Sequence, residues 1–467
     1  MSLVDVIRSS MRQIHMDEVV LLQPQHCTSF QKLCDVYTQG MTVTKSMLDC
    51  MAIGIATHIA VALEGDPLWM YLVGSPSSGK STLCELLSSD ELHSRPISKF
   101  TGLVSGSRQG SHLIPMLQGR CVVVKDGTLL LESNPQQLAN VYGELRDIFD
   151  GSLEAHYRNG VSASFSNISF GMIIGITERI YSLNMAALGE RFLHCRLETD
   201  RAMETQRNSA AITSIFESSS RTSLEGNENG DSRGFPQQRA HTAGFLSYLH
   251  GRLRSEDILR PKYTQYDLEL IQALGDTIAC SRAQAPRTKD SASELLYDAR
   301  PEASTRVVKQ LGRLALCLCY VFGEDHITDT IRKLVTKVAL DTSFSRQHNI
   351  IRTIALAQDG LNRQSIAMLT SIPLETMSRR IDDLVSLAIL VPNDTINRPN
   401  RGRAVPTLHC AKWIQTAFRL VEEQINVPHI PNSKDSEPRP QSSTPRQSPT
   451  PQKNRPNTKK ISHPSQR

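Results

Sequence analysis

Leu68-Trp69-Met70-Tyr71-Leu72-Val73 runs without a break into Gly74-Ser75-Pro76-Ser77-Ser78-Gly79-Lys80-Ser81, and then into Thr82-Leu83-Cys84-Glu85-Leu86-Leu87. The first six residues are an apolar run with the length and flanks of a buried strand, set off from what precedes by the turn residues Gly65-Asp66-Pro67. The last six alternate as a helix does. Between them lie two glycines with four residues between, followed by a lysine and a hydroxyl residue.

That G-x-x-x-x-G-K-[ST] spacing has a physical reading. Gly74 and Gly79 permit backbone conformations that a Cβ would oppose. Consecutive N–H groups, together with the start of the following helix, then form a cradle for an anion. Lys80 adds a point charge suited to the β- and γ-phosphates, and Ser81 a hydroxyl suited to Mg²⁺. A strand before the loop and a helix after it are the context this reading requires. The nucleotide-binding residues expected are therefore Gly74, Ser75, Pro76, Ser77, Ser78, Gly79, Lys80, Ser81 and Thr82. No Asn-Lys-x-Asp string for reading guanine is present, so ATP is the expected nucleotide, with Mg²⁺ as its partner.

Three more apolar runs read as strands: Cys121 to Val124, Phe170 to Ile176 and Phe192 to Leu197. Strands alternating with helical stretches predict an α/β fold with a parallel sheet flanked by helices. The second strand ends at Lys125-Asp126-Gly127-Thr128, which makes Asp126 the expected Mg²⁺-side acid. No glutamate follows it. Either Asp126 acts alone through water, or another acid such as Glu178 enters the site. Thr177 closes the next strand, where its hydroxyl suits the γ-phosphate or the attacking water; a turn-capping role fits it as well. Arg191, just before the fourth strand, has the charge to act on a neighbouring subunit's nucleotide, or to form a local ion pair.

The chain has 467 residues and a formal net charge of +5. Residues 430–467 hold eight Lys/Arg and two Asp/Glu, a net of +6, which leaves the rest near −1. The basic character thus belongs to a Pro/Ser/Gln-rich tail without aromatic residues, read as disordered: a non-specific nucleic-acid attractor or a solubilising end. Ten scattered cysteines without a Cys-x-x-Cys pair argue against zinc and suit a reducing compartment. Met1 to Ser10 carries Asp5 and lacks a signal-peptide core. Met47 to Leu63 is apolar but short for a span and reads as a buried helix. A cytoplasmic protein with no membrane partner is expected. The domains expected are a helical N-terminal segment (1–64), the phosphate-loop core (65–203), a flexible insertion (204–243), a helical lid (244–345), a winged helix-turn-helix (346–425) and the basic tail (426–467).

In this order the features resemble the AAA+ superfamily of P-loop NTPases, nearest to the clade of minichromosome-maintenance helicases and their phage and plasmid relatives. The resemblance covers the run from Leu68 to about Asp341. It implies that Gly74 to Ser81 is the Walker A loop and that Asp126 is the Walker B acid. Arg158-Asn159-Gly160 to Ser169 would be a hairpin before the sensor strand. Thr177 falls at sensor 1, usually Asn. Glu190-Arg191-Phe192 is similar to the arginine-finger turn, and Pro301 to Leu311 to the start of a lid helix with Arg306 as sensor 2. Lys80, Asp126, Thr177, Arg191 and Arg306 then form the implied catalytic set. The resemblance also implies a homo-oligomeric ring, in many cases a hexamer, with ATP at subunit interfaces.

Toward the C-terminus, Leu361 to Leu369 and Leu374 to Val385 read as two amphipathic helices joined at Thr370-Ser371-Ile372-Pro373. A basic, turn-rich strip, Asn397 to Arg403, precedes an apolar strand. This is the layout of a winged helix-turn-helix. Arg379, Arg380, Arg398, Arg401 and Arg403 are the expected DNA contacts, tempered by Asp382 and Asp383; docking onto protein is the competing use. Two functions follow: an oligomeric ATPase acting on DNA as helicase, loader or translocase, or a nucleotide-sensing switch with little turnover.

Overall fold

The computed structural model describes residues 24–97, 112–128, 134–156, 162–182, 191–199, 235–255, 260–287, 295–297, 300–393 and 407–426, with a few single positions elsewhere. Helix α1 (Phe30–Gly40) is capped by Ser29, and α2 (Lys45–Ile59) by Thr44, whose hydroxyl accepts from the Met47 N–H at 2.9 Å. The core follows as β1 (Trp69–Val73), α3 (Lys80–Leu87), β2 (Ser94–Ile97), α4 (Ile114–Leu117), β3 (Cys121–Val124) and α5 (Pro135–Phe149). Next come the hairpin β4 (Ser152–His156) and β5 (Ser162–Ser166), then β6 (Gly171–Ile176) and β7 (Phe192–Arg196).

β2, β3, β6, β1 and β7 lie side by side in that order, all parallel. The period of two along each strand sends alternate residues to opposite faces. Met70, Leu72, Val123, Ile173 and Leu193 face α2 and α3 in one apolar cluster. Trp69, Tyr71, Val122, Val124, Met172, Ile174 and Phe192 face α5 in another. Burial on both faces is why these strands read as continuous apolar runs. The expected strand regions are all present. β2 is an additional one, and its sequence does not declare it because an edge strand can carry Arg95 and Pro96.

Four helices complete the first layer: α6 (Pro236–Leu253), α7 (Gln265–Arg282), α8 (Thr305–Phe322) and α9 (Asp329–Ser343). α6 begins inside the stretch expected to be flexible. Ala240, Ala243, Phe245, Leu246 and Leu249 are buried along it, and that packing orders it despite its polar start. The remainder of the expected insertion lies largely outside the described residues. α9 closes the exposed edge of the sheet. The N–H groups of His194 and Arg196 on β7 donate to Thr342 Oγ1 (2.8 Å) and Asp341 Oδ2 (2.7 Å), which satisfies amides an open edge would leave bare.

A buried histidine cluster joins α2, the start of β2 and α6. His58 Nδ1 lies 3.1 Å from His250 Nε2, and His58 Nε2 lies 2.7 Å from Ser94 Oγ. His93 stacks on His250 at 4.0 Å between centroids and binds Asp90 at 2.8 Å.

The C-terminal part comprises α10 (Arg346–Leu356), α11 (Arg363–Thr370), α12 (Leu374–Ser386), the antiparallel pair β8 (Leu390–Asn393) and β9 (Thr407–Cys410), and α13 (Lys412–Asn426). Ile350, Ile354, Ile366, Met377, Ile381, Leu384 and Phe418 form its core. Residues 427–467, the tail expected to be disordered, lie outside the described residues. One described segment, Lys45–Ala62, is long and apolar enough to cross a membrane, and 67% of it is buried in the fold, as the helix expected there should be. All ten cysteines are free and buried.

Candidate functional site

The loop leaves β1 at its C-terminal end and enters α3. Gly74 donates its N–H to the Ile176 carbonyl (3.1 Å), and Leu197 donates to the Val73 carbonyl (2.7 Å), so both flanking strands anchor the turn. A Cβ at Gly74 would stand 2.9 Å from Ser78 Oγ and 3.3 Å from the Leu197 carbonyl oxygen. Gly79 has φ +99°, the left-handed region where glycine is favoured, and Ser77 has φ +62°. Among the described residues, the N–H groups of Ser77, Gly79, Lys80, Ser81 and Thr82 have no backbone carbonyl as partner. Five such donors around the start of a helix suit an anion.

Lys80 folds back over this turn. Its Nζ donates to the carbonyls of Gly74 (2.7 Å) and Ser75 (2.6 Å). Burial pulls its pKa below the ordinary lysine value, opposed by the negative charges of Asp126 and Glu178. Ser81 is exposed on the first turn of α3, and Thr82 is half-buried behind it.

Asp126 is exposed just beyond β3. Hydrogen bonds from Thr128, one of them from its N–H at 2.8 Å, hold the Asp126 carboxyl below its usual range, with Lys80 assisting. The carboxylate is therefore charged and oriented, as a Mg²⁺-side ligand must be. Gly127 is packed tightly. Its N–H donates to the Gly175 carbonyl at 2.7 Å, and a Cβ would fall 2.5 Å from Ile174 Cγ2. Thr177 Oγ1 is buried without a hydrogen-bond partner. Ser81 and Asp126, the residues expected to hold Mg²⁺, are both exposed at this end of the sheet.

Of the two roles expected for Arg191, the structure shows the local ion pair. Arg191 is 8% exposed, its guanidinium binds Asp150 of the same chain at 2.8 Å, and it lies over the Phe149 ring. Phe192 pairs with Trp69, so Arg191 sits at the opposite end of the sheet from Gly74, roughly 20 Å away along the strands. Arg306, on α8, approaches Glu302 at 3.7 Å. One helical turn further on, Gln310 Nε2 donates to the Arg191 carbonyl at 2.7 Å. The structure thus brings Arg191 and Arg306 to one edge and keeps both from their own chain's loop.

Residues not singled out in the sequence complete the site. Arg196, the last residue of β7, binds Glu178 at 3.4 Å and stacks over Phe344 at 4.2 Å. Lys337 donates to the Arg196 carbonyl and to Asp341. A lone arginine ending an apolar strand was the available signal for this group.

In the C-terminal part, Arg379 is exposed and Arg380 half-buried on α12. Asp382 is bound by Arg363 and Asp383 by Arg287, each at 2.5 Å, so both acids are already neutralised. Arg398, Arg401 and Arg403 lie outside the described residues, as do Arg158 to Gly160 of the expected hairpin. The hairpin itself starts earlier than expected, at Ser152. Met368, Leu369 and Leu374 are exposed beside the turn between α11 and α12. Comparison with protein-family models gives no match, and comparison with curated proteins gives none either.

Proposed function

We propose that the chain is an AAA+-like P-loop ATPase that binds ATP with Mg²⁺ at Gly74–Ser81 and works on DNA as an oligomer. The observation that carries the reading is the loop itself: amides with no backbone carbonyl partner among the described residues, at a left-handed Gly79 closed over by Lys80, between a central parallel strand and a helix. Lys80 would leave its own carbonyls for the phosphates. Asp126 and Ser81 would face the cation. Arg191 and Arg306, on the far edge, would act on a neighbouring copy's nucleotide, with Arg191 exchanging Asp150 for it. The C-terminal part would be a winged helix that touches DNA phosphates through Arg379 and Arg380, since its acids are already paired. Phosphate release measured with Mg·ATP, with and without DNA, tests this reading. DNA stimulation supports a motor, and no ATP binding at all rejects the nucleotide site.

A nucleotide-sensing switch is the second reading. It is favoured by the packing at Gly127, where no carboxylate can stand, and by the exposed Met368, Leu369 and Leu374, which suit a protein partner. A flat, near-zero turnover with tight nucleotide binding would select it.

A further inference from the structure

The acid that a phosphate-loop ATPase uses to orient its attacking water has no room after Asp126. A Cβ at position 127 would meet Ile174 Cγ2 at 2.5 Å, and the N–H there is bound to Gly175. Asp126 itself is held by the Thr128 N–H at 2.8 Å and is the acid proposed for the cation. Glu85 is bound to Lys125 at 2.9 Å. Asp126 and Glu178 are two acids whose negative charge opposes the burial that lowers the Lys80 pKa.

Glu178 has the right place. The Ile176 carbonyl accepts from Gly74, the first residue of the loop, and Glu178 follows two residues later. Thr177 lies between them with a buried hydroxyl that has no partner. The Glu178 side chain is 56% exposed and tethered on one side by Arg196 at 3.4 Å, which leaves its carboxylate accessible to water. Arg196 in turn is stacked on Phe344, the residue that leads from α9 into α10.

We infer that Glu178 is the residue that orients and deprotonates the attacking water, with the Thr177 hydroxyl as the water's second contact. This rests on the nucleotide-site reading above. The water oxygen forms its bond to the γ-phosphorus as the bond from that phosphorus to the βγ-bridging oxygen breaks. The water proton passes to the Glu178 carboxylate and then to solvent, and the electron pair leaves with ADP. The restraint on Glu178 runs through Arg196 to Phe344, so the entry to the C-terminal module is the place from which the acid's position is set.

The test uses the full chain. ATP affinity and phosphate release are measured for the natural protein, Glu178→Gln, Glu178→Asp and Asp126→Asn. The expected result is that Glu178→Gln binds ATP within about twofold of the natural protein while its kcat falls at least about 30-fold, and that Glu178→Asp retains more activity than Glu178→Gln. Turnover of Glu178→Gln at the natural rate overturns the inference. So does natural protein that binds ATP without turning it over. Absence of ATP binding by the natural protein overturns the nucleotide-site reading as well, which separates the two failures.

Discussion

The N–H of Gly74 donates to the carbonyl of Ile176 at 3.1 Å, tying the first residue of the loop to the end of β6. That bond explains why residues remote in sequence converge. Thr177 and Glu178 arrive beside the loop because β6 is the parallel neighbour of β1, and Arg196 because β7 is the other neighbour.

Gly127→Glu restores the acid that the sequence lacks, but at a position that cannot hold it. The expected outcome is a loss of about 2 kcal/mol or more in unfolding free energy, from overpacking against Ile174, with no gain in turnover. Urea unfolding beside an ATPase assay measures both.

Arg191→Ala is expected to destabilise the fold by roughly 1–2 kcal/mol, because it removes a buried chain packed on Phe149 and paired with Asp150. Asp150→Asn should cost less, since that carboxylate is largely in water, and should leave Arg191 available to a neighbouring copy. A double-mutant cycle on unfolding, with turnover measured for each variant, separates the structural share from any catalytic one.

Acid should loosen the junction of α2 with α6. Burial pulls His58 down to about 4 and His250 to about 2, with Asp90 opposing and His93 and Arg254 contributing around the cluster. These groups are neutral when folded and bind protons near their ordinary value of about 6.5 when unfolded. The unfolded chain therefore takes up more protons as pH falls below about 6.5, and stability declines from there toward pH 4, by up to about 1.4 kcal/mol per pH unit for each proton. Above pH 7 the contribution is flat. Unfolding free energy measured from pH 8 to 4.5 reports it, and His250→Phe should flatten the slope.

Legibility in the sequence follows from where each feature gets its support. β1, β3, β6 and β7 are buried on both faces and declare themselves as apolar runs. α12 shows through the spacing of Met377, Ile381 and Leu384, all fully buried. β2 does not, since an edge strand needs no such run. The ordering of α6 comes from packing that its polar opening residues conceal. The pairing of Arg191 with Asp150, of Arg196 with Glu178, and of His58 with His250 joins residues 18 to 192 positions apart, and no local pattern encodes them. The neutralisation of Asp382 and Asp383 is hidden for the same reason.

Arg379→Ala with Arg380→Ala should weaken DNA binding and reduce the slope of log affinity against log salt by about 1 for each phosphate that the protein no longer neutralises. Asp383→Asn should change it little, because Arg287 already holds that charge. Fluorescence anisotropy at several salt concentrations provides the slopes. Unaltered slopes would move the DNA interface away from α12.

The proposed chemistry depends on the amides of Ser77 and of Gly79 to Thr82, and the Lys80 ammonium, holding a triphosphate. Calorimetric titration of the full chain with Mg·ATP, alongside Lys80→Ala, decides whether they do. Saturable binding of one nucleotide per chain is expected, weakened at least about 30-fold by the substitution, which removes a charge-assisted hydrogen bond. Binding that Lys80→Ala leaves unchanged, or no saturable binding to the natural chain, would refute it.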